Sequence, residues 1–160
     1  MKIGIIADTH DNIANIRKAL ELFKKKGINF FIHAGDYVAP FTLSSYFEMG
    51  FDFVGVFGNN DGEKKGLKEK SKDKIKDAPY LFNYSGRDIL IVHDLAAVGN
   101  LVSEKAPAVV IYAHTHNPEI RREGKTLFIN PGEAGGWLTG RATVAVLDLV
   151  KLEAEIIPLD

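Results

Sequence analysis

The sequence predicts an α/β fold, a single domain over residues 1–160 in which two packed mixed sheets are flanked by helices. Three observations predict it. Apolar runs of strand length alternate with helix-period segments in the first half. Turn-linked hairpins dominate the second half. No linker, repeat or low-complexity tract divides the 160 residues, a length that suits one core.

Lys2–Ala7 (KIGIIA) suits a buried strand and stops at Asp8-Thr9-His10. Asn12 is an N-cap residue type, and Ile13, Ile16, Leu20 and Phe23 then recur at helical spacing. Lys24–Lys26 fall in the last turn, with Gly27 as the residue beyond the C-cap. Asn29–His33 is a second strand, ending at Ala34-Gly35-Asp36. This β–α–β opening puts a carboxylate at the C-terminal tip of each strand, where ligands of open α/β sheets gather. Pro40–Met49 predicts a short helix closed by Gly50, and Phe51–Phe57 a third strand running directly into Gly58-Asn59-Asn60-Asp61. Glu63–Asp77 holds seven Lys and four acids, with Leu67 and Ile75 as its apolar residues, and reads as a solvated, weakly amphipathic helix.

Tyr80–Tyr84 and Arg87–Val92 flank Ser85-Gly86 as a hairpin, with His93 at its end. Leu95–Lys105 is a helix candidate. Ala108–Ala113 is a buried strand that ends at His114-Thr115-His116. Glu119–Arg122 and Thr126–Ile129 form a second hairpin around Glu123-Gly124-Lys125. Thr143–Leu149 and Leu152–Pro158 close the chain as an antiparallel pair.

Composition excludes several classes. Lys+Arg number 20 against 21 Asp+Glu, a net charge of −1, so no nucleic-acid binding is indicated. The hydrophobic fraction of 46% rules out intrinsic disorder. With no cysteine, a disulfide scaffold and a thiolate metal site are excluded, so any metal must be held by His, Asp, Glu, Asn or backbone. No apolar run is long enough to span a membrane. The N-terminal apolar stretch is too short and too polar for a signal peptide. A cytoplasmic protein without a membrane partner is expected, and a homodimer follows from base rates alone.

The chemistry lies at the strand tips. Five polar clusters follow five predicted strands: Asp8-Thr9-His10, Gly35-Asp36, Gly58-Asn59-Asn60-Asp61, His93-Asp94 and His114-Thr115-His116. In an extended backbone the outer residues of D-x-H and of H-x-H point the same way. Two Asp, one Asn and four His exceed what one ion takes from protein. They fit two divalent ions sharing a bridging carboxylate. The net positive charge of such a centre favours an anionic substrate such as a phosphate ester.

The order D-x-H, G-D, G-N-x-D, H, H-x-H resembles the calcineurin-like metallophosphoesterase superfamily over roughly residues 3 to 135. The short length resembles its compact prokaryotic phosphodiesterase branch. The resemblance implies a four-layer αββα sandwich and a dinuclear metal-dependent phosphodiesterase. It assigns Asp8, His10, Asp36 and His116 to one metal, and Asp36, Asn59, His93 and His114 to the second, with Asp36 bridging. Mn²⁺ is the first choice for the two ions, with Ni, Fe, Co, Zn or Mg accepted by the same ligands. The implied reaction is in-line attack of the metal-bridging hydroxide on a small phosphate ester, with no covalent enzyme intermediate.

The chain also departs from that pattern. Asn60 replaces the usual His of the G-N-H-D/E motif; it can hydrogen-bond to phosphate but cannot serve as a general acid. Asp11 stands where Gly often follows D-x-H, Asp94 follows His93, and Ala113 precedes H-x-H. After Asn130-Pro131-Gly132, Glu133 stands where Ser would often follow. His33 reads as a structural or supporting residue. Asp61 reads as a turn residue, and Trp137, Phe57 and Tyr37 as packing aromatics. Two alternatives remain. One is a non-catalytic protein-interaction scaffold, since the superfamily includes a retromer subunit resembling the same branch. The other is a phosphomonoesterase.

Overall fold

The computed structural model describes residues 1–159. Its elements run β1 (Lys2–Ile6), α1 (Ile13–Lys25), β2 (Phe30–His33), α2 (Ser44–Glu48), β3 (Asp52–Val56), α3 (Lys64–Lys70) and β4 (Ile75–Lys76). There follow β5 (Tyr80–Tyr84), β6 (Arg87–Ile91), α4 (Leu101–Lys105), β7 (Val109–Ile111), β8 (Glu119–Glu123), β9 (Thr126–Asn130), β10 (Thr143–Asp148) and β11 (Glu153–Pro158). The first sheet has the order β11-β10-β1-β2-β3-β4, the second β5-β6-β7-β9-β8. Both are mixed: β1 to β4 are parallel, as are β6, β7 and β9, and antiparallel strands complete each sheet.

Alternation along the strands builds the layers. Ile5 of β1 joins the core between the sheets, and its neighbour Ile6 joins the core under the helices. Ile89, Ile91, Val109, Ile111, Leu127 and Ile129 supply the second sheet's half of the inner core. Between them Leu90, Val110 and Phe128 point outward to Val98 and the half-buried Leu101 and Val102. Ile16, Leu20 and Phe23 of α1, with Leu67 of α3, cover the outer face of the first sheet. The result is the four-layer αββα sandwich that the family resemblance implies.

α1 forms where its signals place it. The Asn12 side chain accepts the Asn15 N–H at 3.2 Å, and Gly27 turns the chain away with φ +72°. Three helical expectations change. Pro40–Met49 is a 3₁₀ turn, Pro40–Leu43, that runs into α2. The helix expected over Glu63–Asp77 ends at Lys70; Lys72 and Asp73 take left-handed backbone, and Ile75 pairs with β3 as a sixth strand. Two apolar residues in that segment give no continuous stripe, so tertiary pairing decides its course. The helix expected over Leu95–Lys105 is broken at Gly99 (φ 55°, ψ −130°), leaving a 3₁₀ turn Leu95–Val98 and the five residues of α4.

The parallel strands set up the site. The C-terminal ends of β1, β2 and β3 in one sheet and of β6 and β7 in the other lead into the five polar clusters. Backbone bonds join the exits: the Asp8 N–H donates to Gly35 O (3.0 Å), those of Thr9 and His10 to Asp36 O (3.1 Å each), and that of Ala113 to His93 O (2.9 Å).

Candidate metal centre

Five of the seven candidate ligands sit on left-handed backbone: Asp8 (φ 48°), His10 (41°), Asp36 (61°), His114 (70°) and His116 (60°). This corrects the extended reading of D-x-H and H-x-H; the outer residues of both have positive φ. Each such residue costs of order 1 kcal/mol or more, and such strain clusters at functional sites. Asp11, where glycine is common, also has φ 58°; its Oδ1 accepts the Ala39 N–H at 3.0 Å, and Asp tolerates this region better than most residues.

Asp61 stabilises one of these turns. Its buried carboxylate accepts the N–H groups of Asp36 (3.0 Å), Val38 (2.8 Å) and Gly58 (2.7 Å), tying the exit of β2 to that of β3. Burial raises its pKa, and the three N–H donors work against that rise. A Cβ on Gly58 would lie 2.1 Å from Asp36 Oδ1, so glycine is needed for the approach. His33 supports from behind. Its Nδ1 accepts the Gly35 N–H at 3.1 Å, which leaves the proton on Nε2, 3.3 Å from Thr9 Oγ1, and Tyr37 stacks on the ring. Full burial pushes its pKa well down, so the ring is neutral.

The ligand-type side chains converge. Asp8, His10 and His116 bring one atom each within 4.8 Å of one another, as do Asp8, Asp36 and His93. Asp36 Oδ2 lies 3.5 Å from both His10 Nε2 and His93 Nε2. His114 Nδ1 is 3.0 Å from Asn59 Oδ1, and His93 Nε2 is 2.8 Å from the same oxygen. The rings of His10 and His116 stack at 5.4 Å, and those of His93 and His114 meet edge-on at 5.3 Å. Asn60 is exposed and turned onto Asp36: its N–H donates to Oδ1 (2.9 Å) and its side-chain amide to Oδ2 (2.7 Å).

These donors fit divalent cations. Both Asp8 oxygens and His10 Nε2 are buried without a hydrogen-bond partner among the described residues. Burial raises Asp8 to about 6. Burial also opposes the charge on Asp36, but bonds from His93 and Asn60 outweigh it and hold that carboxyl far below the usual range. His93 Nδ1–H donates to Ala34 O (2.8 Å), so its Nε2 faces the oxygens of Asn59 and Asp36. Burial alone would lower its pKa; the Asp36 carboxylate raises it instead. A proton on Nε2 satisfies those oxygens, and a cation beside a neutral ring does the same work.

Glu133 lies outside the residues that the motif order assigns to a metal. It is wholly buried and accepts the His116 Nδ1–H at 3.0 Å, which turns Nε2 toward Asp8, 3.9 Å away. It also accepts N–H bonds from Trp137 (3.1 Å) and Leu138 (3.0 Å) and the Thr139 hydroxyl (2.6 Å). Burial would raise this carboxyl, but the donors, Thr139 first, bring it down to about 2. The available signal was an acid alone in a run of small residues, PGEAGG. Of the three aromatics read as packing residues, Tyr37 and Phe57 are buried, whereas Trp137 is 64% exposed.

The comparisons agree with this geometry. The family model for the calcineurin-like phosphoesterase superfamily domain matches residues 1–152. Phosphodiesterase MJ0936 of Methanocaldococcus jannaschii is 35% identical over the full length of both chains. A solved archaeal phosphodiesterase superposes with a TM-score of 0.91 at 36% identity, covering 99% of each chain. Vps29 of Chaetomium thermophilum has a TM-score of 0.72 at 15% identity, covering 99% of this chain and 94% of its own, and shares the fold. Sandwich, motif order and full-length similarity agree: this chain belongs to the calcineurin-like phosphoesterase superfamily.

Proposed function

We propose that this protein is a dinuclear metal-dependent phosphodiesterase acting on small phosphate esters. One observation carries the reading. Asp8, His10, Asp36, Asn59, His93, His114 and His116 meet where the strand ends of the two sheets converge, with both Asp8 oxygens buried and unbonded. A carboxylate is left in that state when a cation completes it. The 35% identical relative bears the name phosphodiesterase, which favours diesters over monoesters.

In this reading Asp36 would help to hold both ions, a role supported by its Oδ2 lying 3.5 Å from both His10 and His93. Mn²⁺ is the ion we favour, on a mixed imidazole, carboxylate and amide donor set. When bound, the ions supply an acidified water for in-line attack on phosphorus and neutralise charge on the phosphoryl oxygens. The chain's own residues fix the geometry. Glu133 sets the His116 tautomer, the Ala34 carbonyl sets that of His93, and Asn60 orients Asp36 and offers an amide at the phosphate side. Asn60 has no proton to give at neutral pH, so good leaving groups are the best substrates.

The test is hydrolysis of bis(p-nitrophenyl) phosphate by chelator-stripped protein. Turnover should appear on adding Mn²⁺ and vanish in Asp36→Asn and His116→Ala. Unchanged turnover in both variants would refute the assignment.

A further inference from the structure

The loop after Pro131-Gly132 is fastened to the metal centre along its length. The Ala134 N–H donates to Ala7 O and the Gly135 N–H to Asp8 O, both at 2.9 Å. The Asn12 and Asn15 side-chain amides donate to Gly135 O at 2.8 and 3.1 Å. A Cβ on Gly135 would lie 2.9 Å from Asp8 O and from the Trp137 ring, so the loop can close only on glycine there. Beyond it, Glu133 holds the Trp137 and Leu138 N–H groups with the same carboxylate that receives His116.

Trp137 stands on this fixed loop. Its indole Nε1–H donates to the His10 carbonyl at 3.2 Å, which places the ring beside a candidate metal ligand. The residue is nevertheless 64% exposed, and Leu138 next to it is 76% exposed. Packing does not explain the position, because an exposed indole forgoes most of its gain from burial. Its polar end is tied down and its ring left open, as in a contact surface waiting for a flat ligand.

We propose that Trp137 is a specificity-determining residue whose ring stacks on the base of a nucleotide-type phosphoester while the phosphate lies over the Asp8–Asp36 cluster. The proposal rests on the phosphodiesterase reading and narrows its substrates to small esters carrying an aromatic base. The near-zero net charge favours a mononucleotide-sized ligand over a polymer. Because the loop is pinned at Glu133 and Gly135, the ring needs no ordering when the ligand arrives.

Binding to the Mn²⁺-loaded protein tests it, with adenosine 5′-monophosphate and ribose 5-phosphate as probes. They share the phosphate and the sugar and differ in the base. By calorimetry the nucleotide should bind roughly tenfold more tightly. Trp137→Ala should remove that difference while leaving ribose 5-phosphate binding as it was, and Trp137→Phe should keep most of it. Trp137 is the chain's single tryptophan, so intrinsic fluorescence gives a second readout. The nucleotide should quench it and the sugar phosphate should not. Equal affinities in the unaltered protein, or a difference that survives Trp137→Ala, overturn the proposal. If Mn²⁺-dependent hydrolysis stands while the affinities are equal, stacking alone fails. If neither phosphate binds and no hydrolysis occurs, the phosphodiesterase reading fails with it.

Discussion

Asp8 is a buried carboxylate beside the imidazoles of His10, His93 and His116 and the carboxylate of Asp36. Its folded pKa, raised to about 6, lies above the ordinary 3.8. Its charge therefore costs stability in the metal-free protein at neutral pH. That cost shrinks as pH falls through 6 and is gone below 3.8. Asp8→Asn should stabilise the metal-free protein at pH 7 by about 1–3 kcal/mol and remove the stabilisation that Mn²⁺ confers, both read by urea unfolding. A less stable metal-free variant would contradict this account. Glu133 has the opposite sign: its carboxyl is held near 2, so its bonds are fully present above 4.5 and fade as pH falls through 2. The candidate ligands that the structure brings together were legible in the sequence because spacing and order carry them. The left-handed backbone under five of them was not, since Asp and His there are indistinguishable from residues in an extended turn.

Among the elements, strands were easier to read than helices. The central parallel strands carry apolar stretches, and their burial follows from alternation, as in Ile89-Leu90-Ile91. The segment Glu63–Asp77 has only Leu67 and Ile75 as apolar residues, so its position depends on contacts the sequence does not display. Gly99 and the Lys72-Asp73 turn are local breakers within patterns that otherwise read as continuous helix. α3 shows the result: Leu67 is its one buried residue. Leu67→Ala should therefore cost about 2–5 kcal/mol in urea unfolding and free α3 and β4 from the sheet. Amide exchange at Leu67 and Ile75 should rise together, whereas exchange confined to α3 would show that β4 holds independently.

At the scale of the molecule, the candidate ligands come from both sheets, so ions held by them would join the two halves of the sandwich. Chelation should lower the melting temperature, and Mn²⁺ at about 100 times its dissociation constant should restore about 2.7 kcal/mol. In a chain of this size that is a shift of roughly 5–10 °C by scanning calorimetry. An unchanged melting temperature would mean that the ions, if they bind, bind the unfolded chain equally well. The strand order has a consequence for synthesis. β1 lies between β2 and β10, and β10 is made of residues 143–148. A growing chain on the ribosome thus presents Asp8, His10, Asp36, Asn59 and His93 long before the partner strand that closes the other side of β1. Until residue 148 has emerged, the nascent protein has an open sheet edge beside Ile3 and Ile5, and a stalled translation product would leave that edge free to pair with another chain.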